Sequence, residues 1–418
     1  MPNQAPWPFV RLGDYCNVVR GGSPRPAGDP RFFGGSFVPW LTVAAITNVS
    51  SSKMIITDAV GFLTEEGSRK SRRFFPGTVV IANSGWKCGV AKILGFECCG
   101  NDGIAALKDL HSFDPKFICY WLNSQTENLR SKAAAGNEQP NLNTDRIAAI
   151  QVPAPPLKEQ QAIAEALLDL DSAITEIDFL IAKKYDLRAG VMHRLVTGES
   201  RLLGFSTPWQ KKSLGDLGVF HKGAGVKRDD ALSGHLPCVR YGEIYTTHHN
   251  VIRQFSSYIS RSVADGARRI QFGDLLFAGS GETKAEIGKC VALAQDVEAY
   301  AGGDIIILRP KSGNPVFLGW LMNTPQVVRQ KANFGQGDAV VHISASALAS
   351  IEVSLPDLDE QDAIARVITD MDAEITALEA RLEKTRALKQ GMMQALLTGR
   401  VRLPVQGEAL DALEVAHA

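Results

Sequence analysis

Apolar residues recur at alternating intervals of four and three residues along two long stretches of this chain. The positions are Ile163, Leu167, Leu170, Ile174, Ile177 and Ile181 in the first stretch, and Ile364, Ile368, Met371, Ile375, Leu378 and Leu382 in the second. This heptad pattern predicts the seam of a coiled coil. At 1.5 Å per residue, about forty residues form a helix roughly 60 Å long, which cannot bury an apolar stripe against itself. We expect the two copies to pack against each other.

The two stretches belong to an internal repeat. Residues 157–164 (LKEQQAIA) return as residues 358–365 (LDEQDAIA), a displacement of 201 residues, and the same displacement carries LVTG at 195–198 onto LLTG at 396–399. Outside the helices the displacement varies: it is 196 residues from Gly77 to Gly273 and 199 residues from Trp121 to Trp320. The globular parts have therefore diverged in length, whereas the helices have kept one geometry.

The segments outside the helices combine short strands with short helices. Residues 37–41 and 78–82 are β-like runs bounded by Gly, Asn and Ser, which predicts strands. Residues 117–123 and 127–135 predict short helices. Prolines between 153 and 156 end a strand-like segment before the first long helix. These patterns favour an α+β fold.

The repeat divides the chain into globule, helix, globule and helix. The predicted boundaries are 1–152 for the first domain, 153–202 for the first helical region, 203–353 for the second domain, 354–403 for the second helical region and 404–418 for a tail. Only residues 201–208 join the first helix to the second domain, and so short a connection favours antiparallel helices. We therefore predict two α+β domains related by a pseudo-two-fold axis and separated by two long helices packed as an antiparallel coiled coil.

Composition narrows the class of protein. The chain has 45 basic and 45 acidic residues. This balance argues against strong nucleic-acid binding by the chain alone, because neutralisation of phosphates supplies most non-specific affinity. DNA binding would then need local basic patches on this chain and additional contacts from partner proteins. The seven cysteines lack CxxC spacing and are expected to be reduced and packed. Without a signal sequence or a membrane-length apolar run, we expect a cytoplasmic protein with no membrane segment.

An ordered set of motifs resembles the type I restriction-modification specificity subunits. The helical motifs are PPLKEQ at 155–160, AIA at 162–164 and LVTG at 195–198. The first globular half carries LGD at 12–14, GGSP at 21–24, PGTVV at 76–80, SG at 84–85 and QPNLN at 139–143. The second half carries GDLLF at 273–277, SG at 280–281, IGK at 287–289 and residues 356–361, but lacks QPNLN, since residues 335–342 are GQGDAVVH. The resemblance covers nearly the whole chain apart from the tail, and no contact is assigned within 335–342.

The resemblance implies a DNA-recognition subunit that catalyses nothing itself. In that family, each target recognition domain reads one part of a split, asymmetric sequence in double-stranded DNA, and the antiparallel helices set the length of the unread spacer. Two modification (methyltransferase) subunits dock on the helices and carry S-adenosylmethionine and the methyl-transfer chemistry. Restriction subunits add the motor and the nuclease. We therefore expect no metal and no cofactor in this chain.

Candidate DNA contacts in the first domain fall into two groups. Phosphate contact is expected from a basic run at a surface turn, which comprises Arg69, Lys70, Arg72 and Arg73. An ordinary solvated surface, on which Glu65 and Glu66 balance the charge of these basic residues, fits the sequence equally well. Base contact needs side chains that present paired donors or acceptors, and the candidates are Ser84, Trp86, Lys87, Asn141 and Asn143. A core position suits Trp86 equally well.

The second domain offers a corresponding set. The phosphate candidates are Lys222, Lys227 and Arg228, around a Gly-Ala-Gly turn, and the pair Arg268 and Arg269. The base candidates are Arg240, Tyr241, Glu243 and Tyr245, together with Ser280, Glu282 and Lys284 in the loop that matches 84–87. Two other interpretations stay open: residues 240–249 as a strand with an exposed polar face, and residues 227–230 as an ordinary charged loop.

Enzyme motifs are incomplete in this chain. The ETK at 282–284 resembles the ExK of nucleases, but no acidic residue precedes it at a convincing position. Residues 281–289 lack the first glycine of a phosphate-binding loop and the hydroxyl after its lysine. The pair His248-His249 has no acidic or cysteine partner at metal-ligand spacing. The rival interpretations are a nuclease or methyltransferase with fused specificity, the specificity part of another bipartite restriction or methylation system, and a coiled-coil scaffold that binds no DNA.

Overall fold

The computed structural model describes residues 6–134, 141–337 and 340–403. The predicted tail at 404–418 and residues 139–140 of the QPNLN motif lie outside these ranges. The chain divides into two compact units, one formed by the described residues up to Leu180 together with those from Glu379 onward, and one formed by Ile181–Leu378. Each unit holds one α+β domain and a part of each long helix. The domain boundaries inferred from the repeat stay predictions.

The first half of the chain alternates short strands and helices before its long helix. The strands are β1 (Phe9–Arg11), β2 (Asn17–Arg20), β3 (Phe33–Leu41), β4 (Ile55–Ile56), β5 (Gly61–Leu63), β6 (Arg72–Phe74), β7 (Val79–Ala82), β8 (Ala91–Leu94), β9 (Cys98–Gly100), β10 (Ile104–Lys108) and β11 (Gln151–Pro153). The helices are α1 (Val43–Thr47), α2 (Glu65–Arg69), α3 (Pro115–Ser124), α4 (Thr126–Ala134), α5 (Thr144–Ala148) and α6 (Leu157–Thr197), with a 3-10 turn at Leu12–Asp14.

The second half follows the same order. Its strands are β12 (Gln210–Ser213), β13 (Gly218–Lys222), β14 (Leu236–Val239), β15 (Asn250–Val251), β16 (Ser257–Ile259), β17 (Arg268–Ile270), β18 (Leu275–Ala278), β19 (Ser280–Gly281), β20 (Cys290–Ala292), β21 (Ala299–Ala301), β22 (Ile305–Pro310), β23 (Val341–His342) and β24 (Glu352–Leu355). Its helices are α7 (Leu214–Leu217), α8 (Tyr241–Thr246), α9 (Arg261–Ala264), α10 (Pro315–Leu321), α11 (Pro325–Phe334), α12 (Ala345–Ala349) and α13 (Leu358–Leu396), with a 3-10 turn at Arg228–Ala231.

Both domains have the same sheet topology. In the first, a five-stranded sheet has the order β2-β10-β7-β8-β4, a four-stranded sheet has the order β5-β3-β9-β6, and β1 pairs with β11. In the second, the corresponding orders are β13-β22-β18-β20-β15, β16-β14-β21-β17 and β12-β24, with an added ribbon of β19 and β23. The predicted strands at 37–41 and 78–82 fall in β3 and β7, and the predicted helices fall in α3 and α4. Residue 135 lies outside the described ranges.

Each five-stranded sheet is covered on both faces. In β7, Val79 and Ile81 belong to a core that includes the helix α3, whereas Val80 belongs to a core shared with Leu41 of the four-stranded sheet. Successive residues of a strand point to opposite faces, so a strand covered on both sides is apolar throughout. In the second domain, Phe277 and Leu276 of β18 divide between two cores in the same way.

The two long helices are as long as the repeat predicts, with 41 residues in α6 and 39 in α13. The buried seam residues are Ile163, Leu167, Ile174, Ile177, Ile364, Ile368, Ile375 and Leu382, and the partly buried ones are Leu170, Ile181, Met371 and Leu378. Next to Leu170, the carboxylate-bearing Asp171 is only 3% exposed. The stripe is therefore interrupted by a buried charge, which the apolar pattern alone did not indicate.

Ion pairs show that the helices run antiparallel. In the first unit, Asp171 pairs with Lys389 at 2.6 Å and Asp178 pairs with Arg386 at 3.2 Å, so the partner number falls along α13 as the residue number rises along α6. The second unit holds the pairs Lys184–Glu374 and Arg188–Asp372. The order is again reversed between the helices, as the short connection predicted.

The repeated Glu-Gln motif fastens the start of each long helix to its own domain. The side-chain oxygen of Gln160 accepts a hydrogen bond from the backbone N–H of Asp114, the N-cap of α3, at 2.8 Å. Gln361 accepts from Asn314, the N-cap of α10, at 3.0 Å. The glutamine thus uses a backbone donor just before a helix whose first position is proline.

The glutamate of the motif holds the end of the other helix. Arg402 donates from Nε and Nη2 to the two oxygens of Glu159 at 2.5 and 2.6 Å, and its guanidinium lies 4.9 Å from the ring centre of Trp7. Gly399 has a φ of +69°, and a Cβ there would lie 3.1 Å from the Trp7 ring. Glycine suits this left-handed helix end and its close contact with the tryptophan.

The same clamp recurs in the second unit. Arg201 binds both oxygens of Glu360 at 2.5 and 2.7 Å and lies 5.6 Å from the ring centre of Trp209. A Cβ on Gly198, whose φ is +76°, would lie 3.2 Å from that ring. In this unit, Gly198, Arg201 and Trp209 lie in one continuous segment of the chain. In the first unit, Trp7 and Arg402 lie near opposite ends of the described chain, and these ends meet at the clamp.

Candidate nucleic-acid interface

Strand register allows the two domains to be compared residue by residue. Leu41 is paired with Gly100 in a parallel register, and Val239 is paired with Ala301 in the same way. Leu41 therefore corresponds to Val239, and the helices α1 and α8, which follow these residues, occupy the same place in their domains.

The candidate serines face a second segment in both domains. Ser84 forms an antiparallel bridge with Asn141, and Ser280 of β19 is paired with His342 of β23. Ser280 Oγ lies 3.0 Å from His342 Nδ1. Asn141 and His342 are both exposed. His342 thus takes the place of Asn141, inside the stretch where QPNLN is missing.

Asn143 has a local structural role. Its side-chain oxygen accepts from the backbone N–H of Arg146 at 2.8 Å, which caps α5. In the second domain, Ser344 caps α12 by accepting from Ala347 at 3.1 Å. An N-cap satisfies a helix N–H that has no partner within the helix. The oxygen of Asn143 is therefore already engaged, and its DNA contact stays a prediction.

Two cavities of about 530 and 460 Å³ lie on the second domain and share Gly303 and Asp304. We call them together the second-domain groove. The candidates that line it are Arg228, Arg240, Tyr241 and Glu243 in one cavity, and Lys222 and Ser280 in the other, where His342 also lies. The candidates Lys227, Tyr245, Arg268, Arg269, Glu282 and Lys284 are not among the described residues that line either cavity. The fold thus gathers residues that are far apart in sequence.

Residues 241–246 form the helix α8, so the strand interpretation of this polar run is wrong. The hydroxyl of Tyr245, on this helix, donates to the backbone oxygen of Ser280 at 3.0 Å. Burial raises the pKa of Tyr245 to about 12, which keeps its hydroxyl protonated near neutral pH. Local alternation could not reveal the helix, because its buried face is set by contacts with β18 and β19.

The glycines in the basic loop 222–228 are required by the protein's own packing. A Cβ at Gly223 would lie 1.9 Å from the backbone oxygen of Gly302, and one at Gly225 would lie 2.2 Å from that of Gly266. No side chain fits at these distances, so backbone contacts within the domain explain both glycines. Phosphate contact by the loop's basic residues stays a prediction.

Arginine pairs lie on corresponding edge strands. Arg72 and Arg73 belong to β6, and Arg268 and Arg269 belong to β17, and all four are exposed. Arg73 pairs with Glu97 at 3.0 Å, whereas the side chain of Arg72 makes no hydrogen bond or ion pair with any described residue. Exposed guanidinium groups at a sheet edge are suited to phosphate contact.

The rest of the first-domain basic run is engaged locally. Arg69 pairs with Glu65 at 2.7 Å, four residues away on α2. The ammonium of Lys70 lies 5.0 Å from the ring centre of Phe32. Arg69 and Glu65 thus form the charge-balanced, solvated surface that was the alternative to phosphate contact. Both of their side chains remain exposed.

The loops that follow Ser84 and Ser280 are exposed in both domains. Trp86 is 77% exposed, which removes the core interpretation of this side chain. Lys87 donates from Nζ to the backbone oxygen of Thr47 at 2.9 Å. Glu282 and Lys284 are exposed in the second domain. A large exposed aromatic side chain such as Trp86 is suited to stacking or wedging against bases.

A family model described as "Type I restriction modification DNA specificity domain" matches this chain twice, at residues 4–179 and 207–386. The chain belongs to this family. The two matches together cover most of the chain, and each spans one α+β domain with part of a long helix.

Curated members of the type I DNA specificity family align along nearly the full chain. The specificity subunit of the type I restriction enzyme MjaVIII from Methanocaldococcus jannaschii is 20% identical over 414 residues, which is 95% of this chain and 93% of that protein. The specificity subunit of EcoKI from Escherichia coli K12 is 23% identical over 431 residues, with 95% and 88% covered.

Solved structures of the type I family share the fold. One comes from a study of complex assembly and conformational transition of the type I R-M system, with a TM-score of 0.60, 16% identity and coverage of 95% of this chain and 98% of that one. The S subunit from M. genitalium has a TM-score of 0.57, 15% identity and coverage of 95% and 97%. The HsdS subunit from Thermoanaerobacter tengcongensis has a TM-score of 0.54, 17% identity and coverage of 95% and 98%.

Among the candidate DNA contacts of this type I specificity chain, His342 is the residue that sequence reasoning missed. A signal for it was present, because the displacement of 201 residues that relates the helices also relates Asn141 to His342. The residues around His342 are not identical to QPNLN, so sequence identity alone does not show the correspondence. The strand pairing of β19 with β23 restores the correspondence.

Within the described residues of this specificity chain, no group of three or more His, Cys, Asp or Glu side chains is placed to hold a metal ion. All seven cysteines are free and buried, as expected for packed thiols. Burial raises the pKa of Cys98 to about 12 and that of Cys16 to about 11, so these thiols stay protonated near neutral pH. No helix in the described part of the chain is both long and apolar enough to cross a membrane.

Proposed function

We propose that this chain is the DNA-specificity subunit of a type I restriction-modification complex. Each α+β domain would read one part of a split, asymmetric target in double-stranded DNA, and the antiparallel helices would set the unread spacer between the two parts. The family match and the repeated domain topology support this proposal. The chain itself would carry no catalytic group.

One observation carries the proposal: the two domains share a backbone fold but place different side chains at corresponding positions. Where the second domain has Arg240 and Tyr241 at the start of α8, the first has Thr42 and Val43 at the start of α1. Asn141 and His342 differ at a third corresponding place. Two domains of one topology that present different donors and acceptors are suited to two different base sequences.

Partners would supply the rest of the activity. The chain has no net charge, so strong DNA binding is expected to need basic surfaces from other subunits. Two modification subunits that dock on the helices would bind S-adenosylmethionine and transfer the methyl group. Restriction subunits would join them for cleavage. Assembly on the coiled coil would place these activities next to the DNA that the two domains recognise.

The test is to co-express the chain with type I modification subunits and to sequence the methylated DNA. We expect one two-part, asymmetric target with a fixed spacer. A variant in which the second domain is replaced by a copy of the first should then modify a target with two equivalent parts. Assembly of the complex without any sequence preference would instead favour a coiled-coil scaffold.

A further inference from the structure

Arg240 stands half-exposed at the start of α8, and one side of its guanidinium is held within the domain. Nε donates to Glu243 Oε1 at 3.1 Å and to Ser257 Oγ at 3.2 Å, and Nη2 donates to Glu243 Oε1 at 3.0 Å. The backbone N–H of Arg240 donates to the other carboxylate oxygen at 3.0 Å. The guanidinium is thus fixed in position and orientation before any ligand arrives.

The opposite edge of the guanidinium is available. Nη1 forms no hydrogen bond with any described residue, and Nη2 keeps a second N–H. The side chain is 32% exposed and lines the second-domain groove beside Tyr241 and Arg228. Two parallel N–H groups on a planar fork match a pair of acceptors such as guanine O6 and N7.

Glu243 cannot offer its carboxylate to a base in this arrangement. The residue is 5% exposed, and its oxygens accept from the side chain and backbone of Arg240 and from Ser257 Oγ. A buried carboxylate without a cation would be costly, so the pair is mutually dependent. Glu243 therefore acts through Arg240 and is a positioning residue.

The first domain has no such pair at the corresponding place. Register aligns Arg240 with Thr42 and Glu243 with Ala45, while the neighbouring Ile46 and Ile244 are both fully buried. The frame around the helix is therefore kept, and the charged pair is an addition found in the second domain. An addition of this kind is expected of a specificity determinant and not of the common fold.

We propose that Arg240 reads a guanine in the part of the target bound by the second domain, through Nη1 and Nη2, and that Glu243 positions it. This inference rests on the proposed function. It adds the identity of one base and separates the contacting residue from the supporting one.

The experiment uses the full chain in complex with its modification subunits and a pool of DNA with both target parts randomised. For the wild type, we expect a required guanine at one position of the second part. Arg240→Ala should lower discrimination at that position on the order of ten- to hundredfold, with the first part of the target unchanged. Glu243→Gln should lower it less, and the double variant should resemble Arg240→Ala. Arg261→Ala, which removes another arginine paired with a glutamate, is the matched control.

The main arm of a second measurement uses only the wild-type complex, so it does not require a variant to fold. Replacing the guanine by 7-deazaguanine removes the N7 acceptor and should weaken wild-type binding, but should not weaken binding by Arg240→Ala further. Uniformly weaker binding by Arg240→Ala to all sequences would indicate a phosphate contact and overturn the inference. Unchanged base preference in both parts would overturn it too. Absence of any sequence preference in the wild type would instead overturn the proposed function.

Discussion

The ammonium of Lys389 lies 2.6 Å from the carboxylate of Asp171, and both side chains are largely buried, at 14% and 4% exposed. The hydroxyl of Tyr120 donates to the other oxygen of the same carboxylate at 2.6 Å. The displacement of 201 residues relates this pair to Asp372 and Arg188, which pair in the second unit. A charge on each helix is thus matched by the opposite charge on the other helix, in both halves of the repeat.

Lys389→Met should destabilise the protein by about 3 kcal/mol, because it leaves Asp171 as a buried charge without a cation. Adding Asp171→Asn should recover most of that loss, since the charge and its missing partner are then both removed. Chemical unfolding of the two single variants and the double variant measures the coupling.

The matched control is the pair Asp178 and Arg386, which joins the same two helices with side chains 43% and 49% exposed. Neutralising either partner there should change the unfolding free energy by less than about 1 kcal/mol. Equal effects at the buried and exposed pairs would contradict the assignment of the first as a buried, mutually dependent pair.

The buried Lys331 predicts how the free energy of unfolding depends on pH. Its side chain is 1% exposed, and Nζ donates to the backbone oxygens of Gly288 and Met322 at 2.6 and 2.9 Å. Burial lowers the pKa of Lys331 from 10.5 to about 8. Between these values the unfolded chain holds a proton that the folded chain has lost, so this group makes the unfolding free energy rise with pH.

The stability difference between wild type and Lys331→Met should therefore shift in favour of wild type by on the order of 3 kcal/mol between about pH 7 and about pH 10. Below about pH 8 both states of the wild type are protonated, and the difference should be constant. Urea unfolding of both proteins across this range measures it. The raised pKa values of buried thiols act in the opposite direction, and those of thiols that do not interact with Lys331, such as Cys98 and Cys16, are common to both proteins. A difference that does not change with pH would contradict the prediction.

Arg72 should contribute to DNA affinity without contributing to base preference. It is exposed on an edge strand and makes no ion pair within the described residues, so a phosphate can bind it without breaking an internal contact. Arg72→Ala should weaken binding to all sequences and reduce the slope of log affinity against log salt by about 1. Arg69→Ala, whose arginine is paired with Glu65, should reduce the slope less. A change in base preference with Arg72→Ala would contradict the phosphate assignment.

The contact between Trp7 and Arg402 predicts that the chain tolerates circular permutation. The ring and the guanidinium are 4.9 Å apart, so the two ends of the described chain already meet. A permutant that joins residues 403 and 6 through a short linker and opens at Gly204 should keep its unfolding free energy and its target. Gly204 lies in an exposed segment beside the fully exposed Leu203.

A permutant opened at Gly190, inside α6, is the control for that design. It should be strongly destabilised, because its new ends interrupt a helix that makes ion pairs in both units. Equal stability of the two permutants would contradict the role given to the continuous helix.

The long helices and the α+β class were predictable because their signals are local. Heptad spacing and a constant displacement fixed α6 and α13, and alternating or continuous apolar runs fixed strands such as β7. The antiparallel order followed from the short connection after Gly198. Each of these signals lies within a single segment or in the comparison of two copies.

The groove was less predictable because it depends on contacts between distant segments. A strand with an exposed polar face was one open interpretation of the polar run at 240–249, whereas Glu243 is buried, accepts a hydrogen bond from Ser257 and stabilises a helix start. Asp171 lies in the helix seam because Tyr120 and Lys389 satisfy it. Neither pairing is visible in a window of sequence.

Asn141 and His342 should determine base preference separately in the two parts of the target. They occupy the same backbone position, opposite Ser84 and Ser280, but an amide presents a donor and an acceptor whereas the free nitrogen of an imidazole presents one group. His342→Asn should therefore change preference in the second part alone, and Asn141→His in the first part alone, as measured by sequencing of methylated DNA. His235→Asn changes another exposed histidine of the second domain and should leave the target unchanged. Weaker binding with an unaltered target in both exchanges would show that this position supports the fold or binds phosphate and does not read bases.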